Sequence, residues 1–556
     1  MPGFKITTFK GTAPKISPRL LAEDFGQIAK NCFLGTGDLV PYKATTDDWT
    51  VSKTGTMQSL YKFEPGAANP DAGAPISAGY WFHWTQVVDV VKSPIQNDTW
   101  ARTYFTGATS EPRVTSNVLA LAGATTQYPA LSYKLGVPAP TATPVIDPAL
   151  GMGGTPTSSD PLDAEDRYYV YTFVDSFGGE SAPSAVSAKI TTFPGELPNI
   201  KMTDSTGGWA AADISLTYKR LYVTATSSTA TDFQFCKQVT VATLVAQDDG
   251  TRAEVLPTKT WAIPDAGMIG IVAMSNGIVV GFKGNTLMFS EPYAPYAYPV
   301  EYQLGVDFDI VGLGVAGDQL VVCTEGNPYL AGGATSSAMA LTKIDIEQAC
   351  VSKRSIVSIL NGVVYASPDG LVYIDSSGPQ LITSELMTRD QWQAFKPSTI
   401  HGYQHDNLYY GFYNNGTTSA GFILDPTNRH FIEIDTYATA GYNDLLDDAL
   451  YLVVGNKVKK WDSGSSNLTY TWKTKEFVTP KPTNFNVAQV IAASYPITFK
   501  LNVDGVTKHT QTVADSNGFR LPAGFLGRSW NVEISGTNVV EAVYVADSMG
   551  SLGEVV

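Results

Sequence analysis

Four cysteines, five histidines and a small share of charge set the first limits on this chain. Cys32, Cys236, Cys323 and Cys350 lie far apart, with no metal-type spacing. Free, mostly buried thiols are therefore expected, not a zinc site or a disulfide framework. No apolar run approaches the roughly 18 residues of a membrane-crossing helix. The start, Met1-Pro2-Gly3-Phe4-Lys5, lacks the apolar core of a signal peptide, so synthesis and folding in a cytoplasm are expected. Charged residues make up 16% of the chain, against about 25% in ordinary globular domains. The balance is acidic, with a formal net charge of -15. A chain of this sign is not expected to bind duplex DNA by neutralising phosphates. Its densest basic run is only Lys457-x-Lys459-Lys460, beside Trp461. Gly-x-Ser-x-Gly, Walker and His-Glu-x-x-His motifs are all missing.

What the chain has in quantity is turns. There are 50 glycines and 33 prolines. Between Gly267 and Asp462 one pattern recurs: a polar tight turn, an apolar run, a second turn and another apolar run. The turns are Asn276-Gly277, Gly317-Asp318, Asn361-Gly362, Asp406-Asn407 and Asp447-Asp448, at intervals of 41 to 45 residues. Such pairs adopt positive φ at low cost and match the twist of a hairpin. The runs between them, such as Ile278-Val279-Val280-Gly281-Phe282 and Leu450-Tyr451-Leu452-Val453-Val454, are β-branched and aromatic, as strands are. A period of about 40–50 residues with several short strands per unit marks propeller blades, which must stack to bury their faces.

Length and composition divide the 556 residues into several domains. Residues 1–134 are expected to form an N-terminal arm, with a short helix from Ala22 to Asn31, and a first blade or blades. Asn97-Asp98 resembles the later turns. Residues 135–162, rich in Pro and Gly, are expected to be a linker. Residues 163–262 hold short strands about a hundred residues in all, as in an inserted immunoglobulin/fibronectin-III-like sandwich. Residues 263–465 carry the five regular blades, and 466–556 a C-terminal β cap. The expected fold is all-β: a six-bladed propeller with an inserted sandwich and a cap. Strands from both chain ends would close the ring and remove free edges.

Candidate chemistry is sparse. His401 and His405 are four apart, so on a strand they share a face, but no third ligand stands nearby in sequence. Ser367-Pro368-Asp369-Gly370 resembles part of a sialidase-type Asp-box, with its Gly one place early and the closing Thr-Trp missing. It reads as a turn. Paired carboxylates at Asp447-Asp448 and at Asp307 and Asp309 could serve a glycosidase, but solvated turn residues are the simpler expectation. Gly35-Thr36-Gly37 lacks the strand–turn–helix setting of a phosphate loop. No catalytic, cofactor-binding or metal-binding residue is assigned, and no cofactor is expected.

Three sets of residues resemble the tail nozzle, or tubular tail, proteins of short-tailed bacteriophages. The first is Lys10-Gly11, Pro18-Arg19-Leu20-Leu21 and Ala29-Lys30-Asn31-Cys32 before Gly37-Asp38-Leu39. The second is Gly136-Val137-Pro138-Ala139-Pro140. The third is Phe289-Ser290-Glu291-Pro292 with Ser367-Pro368-Asp369-Gly370-Leu371-Val372-Tyr373. The run Tyr169 to Val174 with Gly179-Glu180-Ser181-Ala182-Pro183-Ser184 also resembles the opening of sandwich modules in phage structural proteins. The resemblance implies a non-enzymatic virion protein assembled in the host cytoplasm. It implies a homo-hexameric ring on a tail adaptor or connector, with tail fibres or spikes as neighbours. It implies transient passage of double-stranded DNA and no membrane span. The inserted sandwich departs from the family layout. A different class, a tail-surface propeller that binds or cleaves carbohydrate, is the alternative.

Overall fold

The computed structural model describes residues 3–65, 80–123, 126–226 and 231–553. Met1, Pro2 and the last three residues, named in the expectations above, lie outside that set, as do residues 66–79, 124–125 and 227–230. The described chain is overwhelmingly β, cut into many small sheets.

Among the described residues, five four-stranded antiparallel sheets, one two-stranded pair and one four-stranded antiparallel part of a larger sheet succeed one another. The first pairs Ser59–Phe63 with Tyr80–Trp84. The second contains Asp89–Lys92, Thr103–Thr106, Arg113–Thr115 and Tyr133–Lys134. The third runs from Ile269–Ala273 to Gln303–Gly305, the fourth from Ile310–Ala316 to Ala340–Lys343, and the fifth from Val357–Ile359 to Gly378–Leu381. The sixth runs from His401–His405 to Phe431–Ile434. The seventh has Ala440–Asp444, Ala449–Val454 and Lys457–Lys460. Each recurrent turn in the sequence falls between the first and second strands of one of the last five, with Gly362 already the first residue of its second strand. Asp406 and Asn407, alone between their strands, have φ of 50° and 60°. This is the doubly left-handed geometry that suits a two-residue hairpin.

Why the runs are continuously apolar is now evident. Successive residues of a strand point to opposite faces, and here both faces are covered. Val279 packs with Val91, Tyr104 and Met268, while Val280 packs with Leu313, Leu320 and Val322. Val363 joins Val321 and Cys323, while Val364 joins Tyr409 and Phe422. Tyr410 and Phe412 face Leu450, Leu452 and Trp461. Each such buried side chain contributes about 1.5–3 kcal/mol. The seventh sheet packs Tyr451 and Val453 against Leu60 and Trp81 of the first. The first packs Phe82 and Trp84 against Phe105 of the second. From the second sheet to the seventh, first strands adjoin in the same order, and Ala440–Asp444 returns to Ser59–Phe63.

The N-terminal fifty residues close three sheets made elsewhere. Thr46–Thr50 is the fourth strand of the seventh sheet, with Trp49 opposite Val458. Ile28–Lys30 lies between Phe431–Ile434 and Tyr470–Lys473. Gly3–Ile6 pairs with Val540–Ala546. The expected helix at Ala22–Asn31 is therefore replaced by strands Phe25–Gly26 and Ile28–Lys30. The reason is tertiary. Gly26 lies under Trp472, where a Cβ would come 2.8 Å from the indole nitrogen. Ala29 is buried between strands more than four hundred residues away.

The C-terminal segment forms two facing sheets. One is Gly3–Ile6, Val540–Ala546, Val487–Ala492 and Phe519–Arg520; the other centres on Gly527–Gly536, Ile497–Val503 and Tyr470–Lys473. Phe4, Phe9, Trp472, Phe499 and Trp530 fill the space between.

Between the second and third sheets lies the inserted region. Tyr169–Asp175, Leu216–Thr226 and Thr231–Thr240 form one sheet; Glu196–Lys201 is the hub of another. Within 135–162, expected as a linker, Val145–Ile146 and Met152–Gly154 both pair with that hub. The Ser181, Ser184 and Ser187 hydroxyls accept the N–H groups of Phe173, Tyr171 and Tyr169. They donate to the carbonyls of Ala182, Ala185 and Ala188. A period of three thus matches a strand of period two.

Candidate functional site

Inside the circuit of first strands, side chains from distant sheets meet. The short 3-10 turn Lys353–Ser355 precedes the first strand of the fifth sheet. Lys353 Nζ reaches Asp89 Oδ2 of the second sheet at 2.6 Å. The same oxygen accepts the Gly270 N–H of the third sheet at 3.1 Å. Arg354 donates to the Thr439 carbonyl at 2.5 Å and to the Tyr403 hydroxyl at 3.3 Å. A cleft of about 180 Å³ remains beside Ser59, Val88 and Ile356. Lys353 and Asp89 therefore bridge the inside of the circuit. Each retains 23% side-chain exposure, so solvent screens the pair.

A second cleft, of about 320 Å³, opens between the first, second and seventh sheets. Lys62 Nζ lies 2.5 Å from both Asp444 Oδ2 and Asp447 Oδ2. The Tyr451 hydroxyl also donates to Asp447, at 3.0 Å. Burial alone would lower the Lys62 pKa, but the two carboxylates win and raise it. The hydrogen bond from Lys62 holds Asp447 below the usual carboxylate range. Tyr61 and Tyr442 meet edge to face at 5.4 Å on its wall. Leu445 and Leu446, 82% and 77% exposed, stand at the rim.

The residues singled out in the sequence are dispersed. His401 is buried against Phe412, ring centroids 5.5 Å apart. Burial and then Arg354 hold its pKa well below the ordinary value. His405 stands apart from it, beside Asp406. Asp307 pairs with Lys343 at 2.9 Å, leaving Asp309 in the following loop. Ser367 donates to the Gly370 carbonyl and Asp369 pairs with Arg389, which makes a braced turn. Asp447 belongs to Lys62, while Asp448 lies near His405. The basic run meets an acid, with Lys459 3.0 Å and Lys457 3.9 Å from Asp47. All four cysteines are free and buried. Burial, then Asp248, pushes the Cys236 thiol up to about 12. Sequence reasoning missed Lys62, Asp89, Lys353 and Arg354. Their partners lie tens to hundreds of residues away, and no local signal marks them.

His83 gives the first sheet a pH dependence. It is fully buried in the first sheet, with Nδ1 2.9 Å from the Trp81 carbonyl. Burial lowers its pKa to about 4. The neutral form is thus favoured by folding. Its contribution is fully present above the unfolded value near 6.5 and lost as pH falls toward 4. Chemical denaturation at pH 7 and pH 4.5 should differ by about 2–3 kcal/mol from this group. In His83→Gln that part of the difference should vanish; an unchanged pH slope would count against the assignment.

No family model and no curated protein matches this chain. Among solved structures, the AfRom2 CNH domain shares 9% identity, with 57% of this chain and 90% of that one covered and a TM-score of 0.24. The N-terminal domain of Nup159 shares 11%, covering 50% and 91%, with a TM-score of 0.21. PorZ of Porphyromonas gingivalis, described as a bacterial surface component of the type-IX secretion system, shares 10%, covering 89% and 82%, with a TM-score of 0.25. At these scores the likenesses take the fold no further than the sheets themselves do. Among the described residues, no helix is long and apolar enough to cross a membrane.

Proposed function

We propose that this chain is a structural subunit of a bacteriophage virion, the nozzle at the end of a short tail. Its circuit of sheets reads as a propeller of seven units, two more than the five regular repeats counted in the sequence and one more than the six blades expected. Copies form a ring, six by family resemblance, on a tail adaptor, with fibres or spikes beside it. The ring retains genomic DNA and then conducts it. The role is non-enzymatic.

One observation carries this reading: the N-terminal fifty residues close three sheets built from residues 431 to 546. Such stitching suits a part that must keep its shape under load, because several hydrogen-bonded ladders must shear together. The Lys353–Asp89 bridge supports a lumen between copies instead of through one subunit. A chain carrying -15 would let DNA slide without sticking. Repulsion reaches only about 8 Å at physiological salt, so it matters where the bore is narrow. Quantitative mass spectrometry of purified tails should give six copies per tail. A single copy would refute the ring.

The Lys62 cleft favours a second reading, a carbohydrate-binding propeller on the tail surface. Tyr61, Tyr442, Glu64 and Asp444 supply aromatics beside acids. Binding of the chain to host glycans, lost in Tyr442→Ala, would support it over the nozzle; no binding, and no release of reducing sugar, would remove it.

A further inference from the structure

The repeat places two first-hairpin turns side by side, Asp406-Asn407 in the sixth sheet and Asp447-Asp448 in the seventh. Ligand atoms of His405, Asp406 and Asp448 all lie within 4.8 Å of one another. His405 Nε2 is already 3.5 Å from Asp406 Oδ2. That is near the edge of a tetrahedron with bonds of roughly 2.1 Å, about 3.4 Å.

The histidine is set for ligation by residues outside the trio. Its Nδ1 is 3.1 Å from Asn443 Oδ1, and Asn443 Nδ2 donates to Gln404 Oε1 at 2.7 Å. The Gln404 bond directs the Asn443 amide so that its oxygen faces the ring. Nδ1 then carries the proton, and Nε2 turns its lone pair toward the carboxylates. Orientation of this kind from behind is what metal-binding imidazoles require. Among the described residues, no lysine or arginine forms an ion pair with Asp406 or Asp448. The other such trio, Cys236, Asp248 and Asp249, differs on this point. Arg252 takes both oxygens of Asp248 at 2.9 Å, and Lys237 stands 3.5 Å from Asp249. Its charge is already balanced.

We propose that His405, Asp406 and Asp448 bind one divalent transition-metal ion of the zinc class, with water completing the shell. One imidazole with two carboxylates suits zinc and its neighbours, whereas calcium and magnesium prefer all-oxygen shells. The exposed Asp448 carboxylate lies within 4.8 Å of both other ligands, in reach of a shared ion by side-chain rotation. The bound ion ties the sixth sheet to the seventh, the one that the N-terminal strand completes.

The test is calorimetric titration of the full chain, stripped with chelator, with zinc chloride at pH 7.5. The expected result is one ion per chain with a Kd on the order of 10 μM. His405→Gln and Asp448→Asn should each weaken binding by more than about tenfold, and Asn443→Ala by about tenfold through loss of orientation. Excess calcium should not displace the ion. Independently of any variant, zinc should protect His405 of the intact chain from carbethoxylation. Absence of saturable binding, binding indifferent to His405→Gln, displacement by calcium, or no protection of His405 would each overturn the site.

Discussion

Replacing Trp472 by alanine is expected to destabilise the protein by about 3–5 kcal/mol, the range for truncating a buried tryptophan. The indole is fully buried and holds three segments together. Phe9 meets it edge to face at 4.9 Å. Its Nε1 donates to the Lys10 carbonyl at 3.0 Å. Gly26 lies flat beneath it. Alanine would leave a cavity where the N-terminal arm, the sixth sheet and the C-terminal sandwich meet. Trp472→Phe should recover most of the packing but leave the carbonyl unpaired, at a cost of about 1–3 kcal/mol. Guanidinium denaturation measures both. Limited proteolysis of Trp472→Ala should cut first within residues 7–30. A loss under 1 kcal/mol, or first cleavage elsewhere, would mean that the arm is not anchored there.

Removing the Asp248 carboxylate should have an effect of similar size inside the inserted region. Asp248 is fully buried and receives both Arg252 Nη atoms at 2.9 Å. It also accepts the Tyr169 hydroxyl at 2.7 Å and the Gly250 N–H at 2.9 Å. Asp248→Ala strips the counter-charge from a half-buried arginine and orphans the tyrosine. Breaking such a pair costs about 3–5 kcal/mol. Burial opposes ionisation, but Arg252 and Tyr169 prevail and hold the pKa at about 2. A depressed carboxylate stabilises above its unfolded value near 3.9 and ceases to do so as pH falls toward 2. Acid unfolding of the inserted region should therefore begin below pH 4 in the parent. In Asp248→Ala that step should be missing. Hydrogen exchange across Tyr169–Asp175 and Leu216–Thr226 reports it locally.

The hairpins and small sheets were legible because their code is local. Asp406-Asn407 announces a hairpin by itself, and Val279-Val280 shows a strand buried on both faces. The arm was not legible. Ala22 to Asn31 holds good helix formers, and only Trp472 and the strand Tyr470–Lys473, over four hundred residues on, make it extended. Two strands of the supposed linker were hidden for the same reason, since their partner Glu196–Lys201 lies some fifty residues away. At the sites, the sequence marked His405, Asp406 and Asp448 separately. It could not join them, because the join is the stacking of two sheets. Lys62 carried no signal, because Asp444 and Asp447 are remote from it.

The most direct test of the whole account is an electron cryomicroscopy map of the assembled tail. The expected map shows six copies around a common lumen, each with seven small sheets in a circuit and with Lys353 bridging to Asp89 inside it. DNA density should run between the copies. Lone copies on the tail surface, or DNA passing through the middle of a single subunit, would contradict it.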